Sequence, residues 1–97
     1  MKKSLVRAQV LEAVGNAISL EMLTLIAKGK GCKTKDLIAQ LHLSRRVCYT
    51  RISKFLNTGL IARRHGKWHL TKFGVVIYGV ILLLAEEINV IRNNTTI

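Results

Sequence analysis

The 97-residue chain has no proline and only five acidic residues. It holds no low-complexity segment and no internal repeat, which excludes proline-rich recognition segments and solenoid architectures. The shortage of carboxylates removes most routes to catalysis. Glu86 and Glu87 are adjacent, so on a helix they point about 100° apart and do not converge as a general acid and base. No glycine-rich phosphate loop is present either, and the chain is not expected to be an enzyme. Two cysteines, Cys32 and Cys48, stand sixteen residues apart. That is no disulfide framework, and the two cysteines do not stand at a metal-ligand spacing such as Cys-x-x-Cys. Both thiols are expected reduced in a cytoplasmic protein, Cys48 as a small core hydrophobe and Cys32 either inert or redox-sensitive. The apolar run from Phe73 to Ala85 falls short of the about 20 residues that a membrane-spanning helix needs. A buried or oligomer-forming helix is the expected reading.

What the chain does have is positive charge. Sixteen Lys and Arg set a formal net charge of +11 and a pI near 10.4. The charge is localised, with eleven basic residues and one acid between Lys30 and Lys72. A basic middle between apolar flanks points to a polyanion as partner, nucleic acid or an anionic membrane. The length suits one domain with a single modest core.

Taken in order, Ser4 opens a predicted helix over 4–14, stopped by Gly15 and Asn16. Ser19 is the expected cap of a second, core-forming helix through Leu20, Met22, Leu23, Ile26 and Ala27. After the turn at Lys30 to Lys33, from which Cys32 and Lys33 can extend as a brief strand, Thr34 is the expected cap of a third helix. Asp36 lies in its first turn, where the helix dipole favours an anion. Its buried side is Leu37, Ile38 and Leu41, and His42 and Leu43 connect it to the next helix.

That next stretch, Leu43 to Gly59, organises the rest. Ser44 is a good N-cap, and Cys48, Ile52, Phe55 and Leu56 draw one apolar stripe. Gly59 supplies the left-handed residue past the end. Arg45, Arg46, Tyr49, Thr50 and Lys54 lie off the stripe, presenting guanidinium forks, a phenol, a hydroxyl and an ammonium outward. Such a face suits the reading of DNA base edges, although Tyr49 could also pack on the scaffold. Two short helices across a three- or four-residue turn make a helix-turn-helix. Beyond Gly59 the period changes to that of two short strands, Leu60 to Arg64 and Lys67 to Leu70, with His65 and Gly66 as a hairpin turn. Trp68 is expected to anchor this wing to the core rather than to stack on a nucleotide. Thr71 caps a final helix apolar on all sides, more surface than one small domain buries.

The chain resembles winged helix-turn-helix transcriptional regulators of the small MarR and ArsR type. The matching residues are Leu43, Ser44, Cys48, Ile52, Phe55, Gly59, Leu60 and Ile61, then His69 to Gly74, over roughly residues 19–78. The resemblance implies base contacts at Arg45, Arg46, Tyr49 and Thr50, and a phosphate-contacting wing at Arg63, Arg64, His65 and Lys67. Lys33, Thr34, Lys35, Ser44 and Lys54 complete the expected backbone contacts. It also implies dimerisation through terminal helices, expected at Leu5, Val10, Phe73, Ile77, Val80, Leu84, Ile88 and Ile91. The Cys-x-Cys metal pattern of the ArsR sensors is absent from the recognition-helix region, and neither metal, cofactor nor small-molecule ligand is expected.

The expected fold is therefore mainly α with a small β-hairpin wing, one domain over 1–97. Its parts are an N-terminal helix (4–15), a winged helix-turn-helix core (19–71) and a C-terminal dimerisation helix (72–92). The expected function is a sequence-specific regulator of double-stranded DNA, cytoplasmic and nucleoid-associated, with helix 44–58 in the major groove and wing 60–71 on the backbone. A non-specific architectural DNA-binding protein is the first alternative, and a membrane-peripheral or protein-interaction module the second.

Overall fold

The computed structural model describes residues 10, 12–28 and 31–94, with the side chains of the last helix described as far as Leu84. Its elements are α1 (Ala17–Ala27), α2 (Thr34–Leu41), α3 (Arg45–Asn57), β1 (Ile61–Arg64), β2 (Lys67–Leu70) and α4 (Lys72–Asn94). Ahead of α1, residues 10 and 12–14 are helical. The expected start of that helix at Ser4, and Leu5 with it, lies outside the described residues. Mostly helical with one antiparallel hairpin, the architecture is the one the sequence implied.

Two caps differ from expectation. Asn16, not Ser19, opens α1, its Oδ1 accepting from the Ser19 amide at 2.8 Å. Ser19 is instead the third residue of the helix and fully buried, its own amide being the orphan donor that Asn16 caps. At α2 the N-cap position is Lys33, whose amide donates to Asp36 Oδ2 at 3.1 Å. Thr34 is instead the first helical residue, with its hydroxyl turned to another partner described below. At α3 the expectation holds: Ser44 Oγ accepts from the Val47 amide at 3.1 Å.

The turn of the helix-turn-helix is closed by His42, a non-glycine residue in the left-handed region at φ 53°. The amides of His42 and Leu43 both donate to the Ile38 carbonyl, satisfying the end of α2 before the chain re-enters a helix. The wing closes on His65 and Gly66, at φ 52° and 74°, as a type I′ turn requires. Its register pairs Ile61 with Leu70 and Arg63 with Trp68. Cys32 adds a third, single-residue rung opposite Trp68, with Trp68 N donating to Cys32 O at 2.7 Å and Cys32 N to Trp68 O at 3.1 Å. The brief strand foreseen at Cys32 and Lys33 is thus one bridge long.

Met22, Leu23, Ile26, Leu37, Cys48, Ile52, Phe55, Leu60 and Ile61 form the core, joined by Ala13 and Cys32. α4 meets it through Gly74, Ile77 and Tyr78, spaced as one face of a helix. A Cβ on Gly74 would collide with the Leu60 carbonyl, so only glycine lets α4 start this close to the end of α3. Thr71 ties the same junction: its hydroxyl donates to the Gly59 carbonyl and accepts from the Gly74 amide at 2.9 Å. Tyr78 reaches α1, its hydroxyl 3.0 Å from Thr24 Oγ1.

Candidate nucleic-acid interface

α3 is held from one side only. Cys48, Ile52 and Phe55 are all at most 3% exposed, which fixes the helix's rotation about its axis. Leu56, expected on the same stripe, is 42% exposed. At about 100° per residue it falls some 80° from Cys48, at the edge of the buried arc. The opposite arc carries Arg46, Tyr49, Thr50, Ser53 and Asn57, every one exposed, while Arg45, also exposed, sits beside Leu56 at the edge of the buried arc. Sequence reasoning missed Ser53 and Asn57, although their spacing from Tyr49 and Thr50 was signal enough. The structure gathers Arg46, Tyr49 and Thr50 on this arc with Arg45 exposed at its border, and Tyr49 at 55% exposure does not pack into the scaffold.

Of the expected phosphate-contacting residues, Lys33, Lys35, Ser44, Arg63, Arg64 and His65 are exposed, and Thr34, Lys54 and Lys67 are half-buried. Ser44 Oγ is committed as acceptor to the Val47 amide but retains its proton for a further acceptor. Thr34 Oγ1 accepts from Trp68 Nε1 at 3.0 Å, stapling the wing to the first turn of α2. The anchoring role expected for Trp68 is therefore what its indole performs here. Arg63, its cross-strand partner, holds its guanidinium carbon 5.4 Å from the centre of the Trp68 ring, within cation–π range. This contact lies along the wing and restrains a long side chain that would otherwise sweep solvent.

Lys54 is placed differently from its neighbours. Its Nζ lies 2.9 Å from Glu12 Oε1, a contact between the segment ahead of α1 and the flank of α3. Glu12's carboxyl is held below its usual range by the Lys54 hydrogen bond and then the Lys54 charge, against an opposing effect of burial, with the charge of Arg51 the smallest contribution. Arg51, overlooked from sequence, thus belongs to the same cluster. A shallow pocket of about 170 Å³ opens beside it, lined by Glu12, Ala13, Lys54, Asn57 and Thr58.

Cys32 and Cys48 are both buried free thiols. Burial pushes both up from their ordinary pKa, and for Cys32 the nearby Asp36 and Cys48 add to it. Neither is poised as a thiolate. Among the described residues no three His, Cys, Asp or Glu side chains gather as a metal site, and no helix is long and apolar enough to cross a membrane.

The residues expected at a dimer seam differ in exposure within the single chain. Ile77 packs on the core of its own chain, whereas Phe73, Val80 and Leu84 are exposed at 42%, 46% and 56%. Val76 and Leu83 extend that exposed stripe, and Val75 and Leu82 lie on the other flank. Val10 is half-buried and helical, and the side chains of Ile88 and Ile91 fall outside those described.

No family model matches the sequence and no curated protein does. Solved structures do. HlyU from Vibrio cholerae matches at a TM-score of 0.66 and 20% identity, over 89% of this chain and 96% of that one. The activation domain of the phage T4 transcription factor MotA matches at 0.65 and 15%, over 91% and 97%. A MarR family protein of Mycobacterium tuberculosis matches at 0.66 and 17%, over 96% and 76%. At these identities the likeness is one of fold, it spans nearly the whole chain, and the fold is the winged helix-turn-helix.

Proposed function

We propose that the chain is a sequence-specific, double-stranded-DNA-binding transcription regulator that works in the cytoplasm as a homodimer. The observation that carries this reading is the exposed arc of α3. Arg45, Arg46, Tyr49 and Thr50 project from a helix whose rotation the buried Cys48, Ile52 and Phe55 have fixed. In the docking mode of this fold the second helix of the motif lies in the major groove, and its first turn approaches the base edges. Arg45 and Arg46 occupy that turn, where a guanidinium fork can bind guanine O6 and N7 together. Arg63, Arg64, His65 and Lys67 at the wing, with Lys33, Thr34, Lys35 and Ser44 around the start of α2 and α3, are suited to phosphates rather than bases. The charge balance supports the same partner.

The homodimer rests on the apolar stripe of α4. Phe73, Val76, Val80, Leu83 and Leu84 repeat at three- and four-residue steps and are exposed, the pattern of a helix that pairs with another helix. A two-fold pair would set two α3 helices against one duplex, matching a palindromic site with half-sites one helical turn apart.

Selection of bound sites from a random duplex library tests the reading. The expected outcome is a palindromic consensus preferred by roughly 10³-fold or more over unrelated DNA. Recovery of unselected sequences with equal affinity would replace it with a non-specific architectural role on the same basic surface. If the pair neutralises about 6 to 10 phosphates, log K should also fall with log salt at a slope of about −5 to −9.

A further inference from the structure

Glu12 is an acid set against the recognition helix of a strongly basic chain, and it is held there. Its neighbour Ala13 is 1% exposed in the core, so the carboxylate is not carried on a free tail. Glu12 Oε1 meets Lys54 Nζ at 2.9 Å across 42 residues of sequence. Arg51, three residues before Lys54 and on the same flank of α3, adds its charge to the attraction. Lys54 also lies one turn beyond Thr50, at the border of the exposed arc. Its ammonium is therefore within a side chain's swing of the face assigned to DNA, and that swing requires it to leave Glu12.

We propose that Glu12 sets the DNA affinity by standing in for a phosphate. In the free protein its carboxylate occupies Lys54, and binding to DNA exchanges this internal anion for one on the backbone. The inference rests on the DNA-binding reading above and adds to it a contact that restrains binding. The exchange has a definite physical signature. A cation that must first release a carboxylate contributes less than a free one, and the stranded carboxylate then faces the phosphates within a Debye length, about 10 Å at 0.1 M salt. Removing Glu12's charge should therefore free one cation per helix and relieve one repulsion.

The test is a double-mutant cycle on the intact chain, with fluorescence anisotropy of a labelled duplex across a salt series. Glu12→Gln is expected to tighten binding about 5- to 10-fold per engaged helix near 0.1 M salt, with the salt slope changed by less than the about 0.9 of a full phosphate contact, because Lys54 reaches the backbone in both proteins. In a Lys54→Met background the same change should tighten binding 2-fold or less, since the released partner is gone. Glu12→Asp, which keeps the charge but shortens its reach, should give part of the gain and carries the test if Glu12→Gln lowers the melting temperature below the assay. Wild type that binds, with Kd and slope unmoved by Glu12→Gln, overturns the proposal alone, as does an equal gain with and without Lys54. Wild type that binds no duplex at low salt overturns the DNA-binding reading itself.

Discussion

Among the described residues Arg45 and Arg46 have no side-chain partner at the start of α3, where both are exposed, 60° and 160° around the helix from Cys48 at about 100° per residue. Replacing either by Ala should cost about 1 to 3 kcal/mol on the selected site if its fork is bidentate to guanine. Competition titrations on selected and random duplexes check this, and an equal loss on both would make that arginine a phosphate contact. The cysteines give a second expectation, in pH. Burial raises both thiol pKa values in the folded chain, whereas in the unfolded chain they titrate near about 8.5. The native state then keeps protons that the unfolded state has lost. The stability linked to these groups is fully present below about pH 8.5 and is lost as pH rises through the folded value. Urea midpoints should accordingly fall above about pH 8.5, and less steeply in Cys48→Ala, once corrected for that variant's lower baseline. A slope unchanged by the substitution would assign the alkaline loss to other groups.

At the scale of elements, the wing is the part most open to test. Arg63, Arg64 and Lys67 flank a turn whose backbone is set by His65 and Gly66. Neutralising each should weaken binding to all sequences alike and flatten the salt slope by about one per lost contact. A wing variant that changed the selected consensus would show that the wing reads bases. The elements were legible in the sequence wherever a local rule decided them. Ser44 before an apolar stripe, Gly59 after it and a His65-Gly66 turn between alternating residues needed no tertiary information. The misses have physical causes. Asn16 and Ser19 are both capping residues, and only the entry path of the chain decides which of them stays outside the helix. The strand foreseen at Cys32 and Lys33 was no miss in place, only in length, since a single rung has no period to read. The side of α4 that faces its own core, Gly74, Ile77 and Tyr78, was hidden by a helix apolar on every face. The Glu12–Lys54 pair spans 42 residues, and no local pattern announces a contact of that range.

For the whole molecule the deciding quantity is the apolar surface left over. Phe73, Val75, Val76, Val80, Leu82, Leu83 and Leu84 are all exposed along the first turns of one helix, and large apolar side chains exposed together mark an interaction surface. The chain should therefore sediment as a dimer at micromolar concentration. Leu84→Asp would bury an unpaired carboxylate in the pairing surface, at a cost of several kcal/mol, and should give monomers or aggregates. Affinity for a full palindrome should drop far more than affinity for a half-site. A monomeric wild type would end the paired model and leave the patch to another partner. Trp68 offers a way to watch such events without a label. It is the one tryptophan in the chain, bonded through its indole N–H to Thr34 and covered by Arg63. Wing, first motif helix and a basic side chain thus converge on a single chromophore. Its emission wavelength and lifetime should respond when Arg63 leaves the ring, making the joint of the wing a built-in optical gauge.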